Sequence, residues 1–169
     1  MSTTNDKSST VFTMTRVFEA PLDRVWKAWS DAEQLARWWG PAGCKVEIKR
    51  LEFQPGGFCH YSMNFPGMPS MWGRFNFREI VAPSRIVWLN SFANEDCGIA
   101  RAPFSEDCPL EIENTVTLTE KDGVTTIDLR ARAFGATAPE RKFFDDLTAS
   151  MEQGYGGTFD QLKAHLAKG

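Results

Sequence analysis

Polar and apolar residues alternate along several stretches of this chain, and the period of the alternation changes between them. From Val11 to Glu19, Phe12, Met14, Arg16 and Phe18 fall on one side and Val11, Thr13, Thr15 and Val17 on the other, which predicts a strand. Ala20-Pro21 ends it. Leu22, Val25, Trp26 and Trp29 then recur every three or four residues, the spacing of one helix face, through Ser30. Asp31, with Gln34 three residues on, resembles a capping box and opens a second short helix. That helix runs to Trp38-Trp39 and stops at Gly40-Pro41.

Strand periodicity returns from Cys44 to Phe53, setting Val46, Ile48 and Arg50 against Glu47, Lys49 and Leu51. Further strands are predicted over 58–65, 71–81, 85–92, 110–119 and 124–133, divided by turn signals such as Gln54-Pro55-Gly56-Gly57 and Lys121-Asp122-Gly123. Strands in succession without helices imply an antiparallel meander. The stretch 93–109 is too long for a simple hairpin; it reads equally as a lid and as a surface excursion packed by Ile99 and Phe104. Thr137-Ala138-Pro139-Glu140 then combines an N-cap, an early proline and a glutamate three residues after the cap. Phe144, Leu147, Met151, Tyr155, Phe159, Leu162 and Leu166 mark one face of a helix of roughly seven turns. The expected architecture is α+β, a helix-grip fold. A curved antiparallel β-sheet of about six to seven strands wraps around the long C-terminal helix, with two short helices after the first strand. One domain over 11–169 is expected, preceded by a polar, disordered lead over 1–10.

Composition changes this picture little. A chain of 169 residues, 42% hydrophobic and 24% charged, reads as one ordinary globular domain. Its formal net charge of −3 argues against nucleic acid or an anionic membrane as partner. No apolar run approaches the ~20 residues of a membrane helix. Residues 1–10 lack the apolar stretch of a secretory signal, so no membrane insertion and a cytoplasmic location are expected. Cys44, Cys59, Cys97 and Cys108 show no metal-ligand spacing, and free thiols are expected over a bridge between Cys97 and Cys108. With only His60 and His165 besides, neither a metal nor a cofactor is expected.

Two features need an explanation. Adjacent Trp38 and Trp39 are costly to leave in water, and Gly154, Gly156 and Gly157 each cost about 1 kcal/mol relative to alanine inside a helix. Tight packing accounts for both, and so does a cavity between helix and sheet. The candidate ligand-binding residues are Trp38, Trp39, Tyr61, Met63, Phe75, Trp88, Met151 and Tyr155, chosen as large rigid aromatics or by strand parity. Arg16 shares an inward face, where a salt bridge to Glu79 or Glu113, or snorkelling to solvent, is favoured over a ligand contact. His60 has the chemistry of a general base, yet among Ser62 and Asn64 it reads as an outward-facing polar residue. No Ser-His-Asp order, phosphate loop or paired-carboxylate signature is visible, and no catalytic residue is assigned.

An ordered set of segments carries a family resemblance. It comprises Arg16-Val17-Phe18-Glu19-Ala20-Pro21, Val25-Trp26-Lys27-Ala28-Trp29, Trp38-Trp39-Gly40-Pro41, Gly56-Gly57, Arg78-Glu79-Ile80 and Pro83-Ser84-Arg85-Ile86-Val87. Asn114-Thr115-Val116-Thr117-Leu118, Asp122-Gly123-Val124-Thr125 and Met151-Glu152-Gln153-Gly154-Tyr155-Gly156-Gly157-Thr158 complete it. In this order they resemble the SRPBCC (START-like, birch-pollen-allergen-like) superfamily, in the branch named after activators of heat-shock chaperone ATPase. The resemblance spans nearly everything from Phe12 to Ala167 and implies a helix-grip domain with an internal cavity, without implying a reaction. Tyr155 stands where that family commonly has tryptophan, and Glu113 where it often has an apolar residue. Binding of a small hydrophobic ligand is the expected function. A cyclase-, lyase- or hydrolase-type enzyme using the same cavity through His60, Tyr155 or Arg16 is the first alternative. A co-chaperone-like module acting on a chaperone ATPase ranks third, and a homodimer is compatible with all three.

Overall fold

The computed structural model describes residues 11–40, 43–102 and 105–168. The expected lead over 1–10, and with it Pro41 and Phe104, lies outside the described residues. Strand β1 (Phe12–Phe18) is followed by helices α1 (Leu22–Ser30) and α2 (Ala32–Trp38). Strands β2 (Lys45–Leu51), β3 (Phe58–Asn64), β4 (Met71–Val81), β5 (Arg85–Ala93) and β6 (Ile99–Ala100) come next, then β7 (Glu111–Lys121), β8 (Val124–Phe134) and helix α3 (Ala138–Ala167). The strands form one antiparallel sheet in the order β1-β8-β7-β5-β4-β3-β2, with β6 pairing to β5 off that path. This is the helix-grip arrangement, with the two-residue β6 as an eighth strand.

Local chemistry explains the element boundaries. The Asp31 side chain accepts the backbone N–H of Gln34 at 3.2 Å and caps α2. Gly40, at φ +95°, turns the chain out of α2 through a conformation that side chains disfavour. Asp122 and Gly123 both have positive φ, the geometry of a two-residue hairpin turn matched to strand twist, and they join β7 to β8. Thr137 and Glu140 form a reciprocal capping box at the start of α3. One departure from simple alternation occurs in β2. The register shifts between Ile48 and Arg50, so Arg50 turns outward and Leu51 packs on the core.

The concave face of the sheet is the core. Phe12, Phe18, Cys59, Phe75, Ile86, Trp88, Val116, Leu118, Ile127 and Leu129 point into it. Helix α3 closes it unevenly. Phe144 near one end and Phe159, Leu162 and Leu166 near the other are buried, while Leu147, Met151 and Tyr155 between them are only partly buried. The helix is anchored at both ends. Arg101 pairs with Glu140 at one, and at the other Arg24 donates to the Leu166 carbonyl at 2.7 Å and Gln161 to that of Gly40. Between the anchors the helix bridges the sheet, and the gap beneath it is the cavity.

The convex face is also covered locally. His60 stacks on Trp72 with ring centroids 5.0 Å apart, and its Nε2 lies 3.0 Å from the Asn94 carbonyl oxygen. Arg74 lies over the Phe58 ring and donates to the Cys97 carbonyl at 2.8 Å. Residues 94–97 therefore fold across the outer face of β3 and β4. His60 faces away from the cavity as the pattern implied, but it is buried at 6% exposure rather than facing water. Ile99, expected to pack its loop, is instead exposed at the edge of β6.

Candidate functional site

Period-two alternation brings side chains from three strands to one place under α3. Tyr61 and Met63 come from β3, Asn90 from β5, and Ile112 and Asn114 from β7. From above, α3 contributes Met151, Gly154, Tyr155 and Thr158, and the end of α2 contributes Trp39 and Gly40. Together they line a cavity of about 290 Å³ that opens to the surface, close to the lower end of the ~300–1,000 Å³ typical of ligand pockets.

The wall is mostly apolar, and its polar side chains bond mainly to one another or to the backbone. The Tyr155 hydroxyl donates to Asn114 Oδ1 at 2.8 Å, and Asn114 Nδ2 donates to the Ile112 carbonyl at 3.2 Å. The Tyr61 hydroxyl donates to Asn90 Oδ1 at 3.4 Å. The single Thr158 hydroxyl proton lies between the backbone carbonyls of Gly40 and Gly154, with Oγ1 at 3.1 and 2.9 Å from them. Burial holds both phenols well above their usual pKa range, so Tyr61 and Tyr155 stay neutral and keep their protons.

The close approach of Tyr61 to β4 shapes one side of the cavity. Its ring lies directly over Gly73, the residue opposite it on the neighbouring strand, where any Cβ would collide with the ring. The glycines of α3 have separate surroundings. A Cβ at Gly154 would meet nothing within 4 Å, whereas at Gly156 it would stand 3.2 Å from the Arg16 guanidinium. Helix α3 continues unbroken through all three glycines.

Of the eight residues expected to contact a ligand, Trp39, Tyr61, Met63, Met151 and Tyr155 line this cavity. Trp38, Phe75 and Trp88 do not. Those three are at most 2% exposed and form, with Trp29 and Trp39, an aromatic cluster behind the wall. Trp38 also spends its indole N–H on the Ala28 carbonyl, at 2.9 Å. Sequence reasoning missed Gly40, Asn90, Ile112, Asn114 and Thr158. Parity offered a signal for three of them, because Trp88 pointing inward places Asn90 inward, and Glu113 pointing outward places Ile112 and Asn114 inward. Arg16 pairs with Asp160 at 3.1 Å, not with Glu79 or Glu113, which pair with Arg85 and Arg132 on the sheet. Neither Arg16 nor His60 reaches the cavity wall.

A larger groove of about 940 Å³ lies between α1, α2 and the end of α3, lined by charged side chains of which Arg24 and Arg37 already have partners. It is a polar cleft between helices. His165 sits there with Nε2 3.0 Å from Gln34 Oε1, and burial, reinforced by Arg24, Arg37 and Lys168, lowers its pKa from 6.5. The unfolded chain therefore takes up the proton first as pH falls through 6.5, and the fold loses stability below that pH. Between about pH 7.5 and 5.5, His165→Gln should lose less stability than the wild type in denaturant titrations; identical pH slopes would refute this assignment.

Among the described residues no group of three or more His, Cys, Asp or Glu is placed to hold a metal ion, and no helix is long and apolar enough to cross a membrane. A protein from Arthrobacter aurescens, solved by NMR, is 27% identical with a TM-score of 0.78, covering 94% of this chain and 87% of its own. A crystal structure from Mycobacterium smegmatis is also 27% identical, with a TM-score of 0.73 and coverage of 91% and 88%. The AHSA1 protein from Silicibacter pomeroyi shares the fold at 20% identity and a TM-score of 0.68, covering 94% of this chain and 98% of its own. Comparison with curated proteins returns no match. The family model described as Activator of Hsp90 ATPase homolog 1-like protein matches residues 19–167, nearly the whole fold from the end of β1 to the end of α3. The chain therefore belongs to the Activator of Hsp90 ATPase homolog 1-like family, within the SRPBCC superfamily.

Proposed function

We propose that this protein binds a small, largely apolar molecule in the cavity between α3 and the sheet. The observation that carries this reading is the wall itself. Met63, Ile112, Met151 and the Trp39 ring surround a space that the helix bridges without filling. Removing apolar ligand surface from water is worth about 25 cal/mol per Å², so a few hundred Å² supports micromolar binding after association costs. Conversion of the ligand is the weaker reading. It would need a group that titrates near neutrality, and the described lining residues include neither a histidine nor a carboxylate.

Gly154→Leu tests the proposal without threatening the fold. The new side chain meets open space at its Cβ and replaces a glycine in a helix, so stability should rise by about 1 kcal/mol. The same side chain would occupy the cavity rim. Native mass spectrometry of freshly purified wild type, beside its denatured mass, should reveal a co-purifying small molecule that the variant lacks. A folded Gly154→Leu protein that retains full uptake would overturn the proposal.

A further inference from the structure

The polar groups of the cavity are not symmetrical, and their asymmetry constrains the ligand. Hydrogen-bond direction runs from the Tyr61 hydroxyl to Asn90 Oδ1. With its oxygen engaged, Asn90 presents Nδ2 as its remaining group. Among the described residues, that amide donates to no partner, and Asn90 lies in the cavity wall. Asn114 differs: its Oδ1 accepts from Tyr155 and one of its two Nδ2 hydrogens is held by the Ile112 carbonyl. Of the two asparagines on the cavity floor, Asn90 has both amide hydrogens to offer and Asn114 only one.

Charge supplies the second constraint. No described lining residue is charged, and the two phenols stay protonated. A carboxylate or ammonium entering this space would lose its hydration without gaining a counter-ion, a cost far above that of a neutral polar group. A carbonyl or ether oxygen loses less and can take the Asn90 N–H in return.

We infer that the cavity selects an uncharged apolar molecule bearing a hydrogen-bond acceptor oxygen, and that Asn90 Nδ2 is the donor that recognises it. This rests on the cavity being a ligand site. Asn90 is then a specificity-determining residue, and the Tyr61 hydroxyl orients its amide.

Three probes of one shape test the inference: 2-acetylnaphthalene, 2-ethylnaphthalene and 2-naphthoate. Each is titrated into ¹⁵N-labelled protein and followed by NMR through the Asn90 side-chain amide and the Trp39 indole. The ketone should bind about tenfold tighter than the hydrocarbon, the worth of one satisfied hydrogen bond in an apolar site. It should shift the Asn90 amide resonances, and the carboxylate should bind weakest. Asn90→Asp, which keeps the shape but replaces the donor by an acceptor, should lose the preference for the ketone. Asn90→Leu should lose it while still binding the hydrocarbon. Equal wild-type affinity for ketone and hydrocarbon would overturn the inference and leave the apolar site standing. Failure of all three probes to bind would overturn both.

Discussion

Replacing Gly73 with alanine is expected to cost about 3 kcal/mol of stability, although it adds a single methyl group. The added carbon would fall among the ring atoms of Tyr61, with Cε2 at 2.7 Å and two further ring-end atoms closer still. Tyr61 has little freedom to yield. It is 3% exposed, packs edge-on against Phe75 at 5.3 Å and directs its hydroxyl to Asn90. Lifting the ring off Gly73 pushes it into the cavity, so the same substitution should also reduce ligand uptake. Denaturant unfolding measures the first effect and native mass spectrometry the second. Adding Tyr61→Leu to Gly73→Ala should recover part of the lost stability, because the two changes share one collision and will not be additive. An alanine variant as stable as the wild type would show that the ring does not lie over Gly73.

The second large effect is expected at Trp38. Trp38→Ala should destabilise by about 4 kcal/mol, a large share of the 5–15 kcal/mol typical of a folded domain. Trp38 is fully buried, lies edge-on to Trp29 at 4.8 Å, and donates to the Ala28 carbonyl at the end of α1. Truncation opens a void and orphans that carbonyl. Trp38→Phe keeps most of the volume and loses only the hydrogen bond and one ring, so its loss should be clearly smaller. A loss below about 1 kcal/mol for the alanine variant would mean that the aromatic cluster repacks freely. The roles of the adjacent tryptophans thus diverge, with Trp38 holding α1 to α2 and Trp39 turned to the cavity.

That divergence shows where sequence reasoning stopped. Helical and strand periods are local signals, and they place nearly every element here to within a residue or two. Strand parity even selected Tyr61 and Met63 correctly for the concave face. Parity fails at β2, where the shift after Ile48 sends Arg50 outward, because a bulge leaves no trace in alternation. It also says only that a residue points inward, not whether it meets a neighbour or a void. Phe75, Trp88 and Tyr61 share that direction, yet only Tyr61 borders the cavity. The choice is made by how α3 bridges its anchors, and those anchors join residues distant in sequence, such as Arg24 with Leu166. The partner of Arg16 was hidden for the same reason. Asp160 lies on a helix face whose rotation depends on packing, while Glu79 and Glu113 find arginines across the sheet.

The placement of β1 at the sheet edge, paired only with β8, bears on how the chain is made. Thr15 and its neighbour Asp128 stand 113 positions apart. β1 leaves the ribosome before every other strand described, and its one sheet partner is synthesised near the end. The meander from β2 to β5 can assemble from nearby segments while translation proceeds, at low loop-closure cost. β1 must wait as an unpaired strand carrying Phe12, Met14 and Phe18. For most of its synthesis the nascent chain therefore exposes one apolar edge segment, and the interval before β8 emerges is the period in which it most needs shielding from other chains.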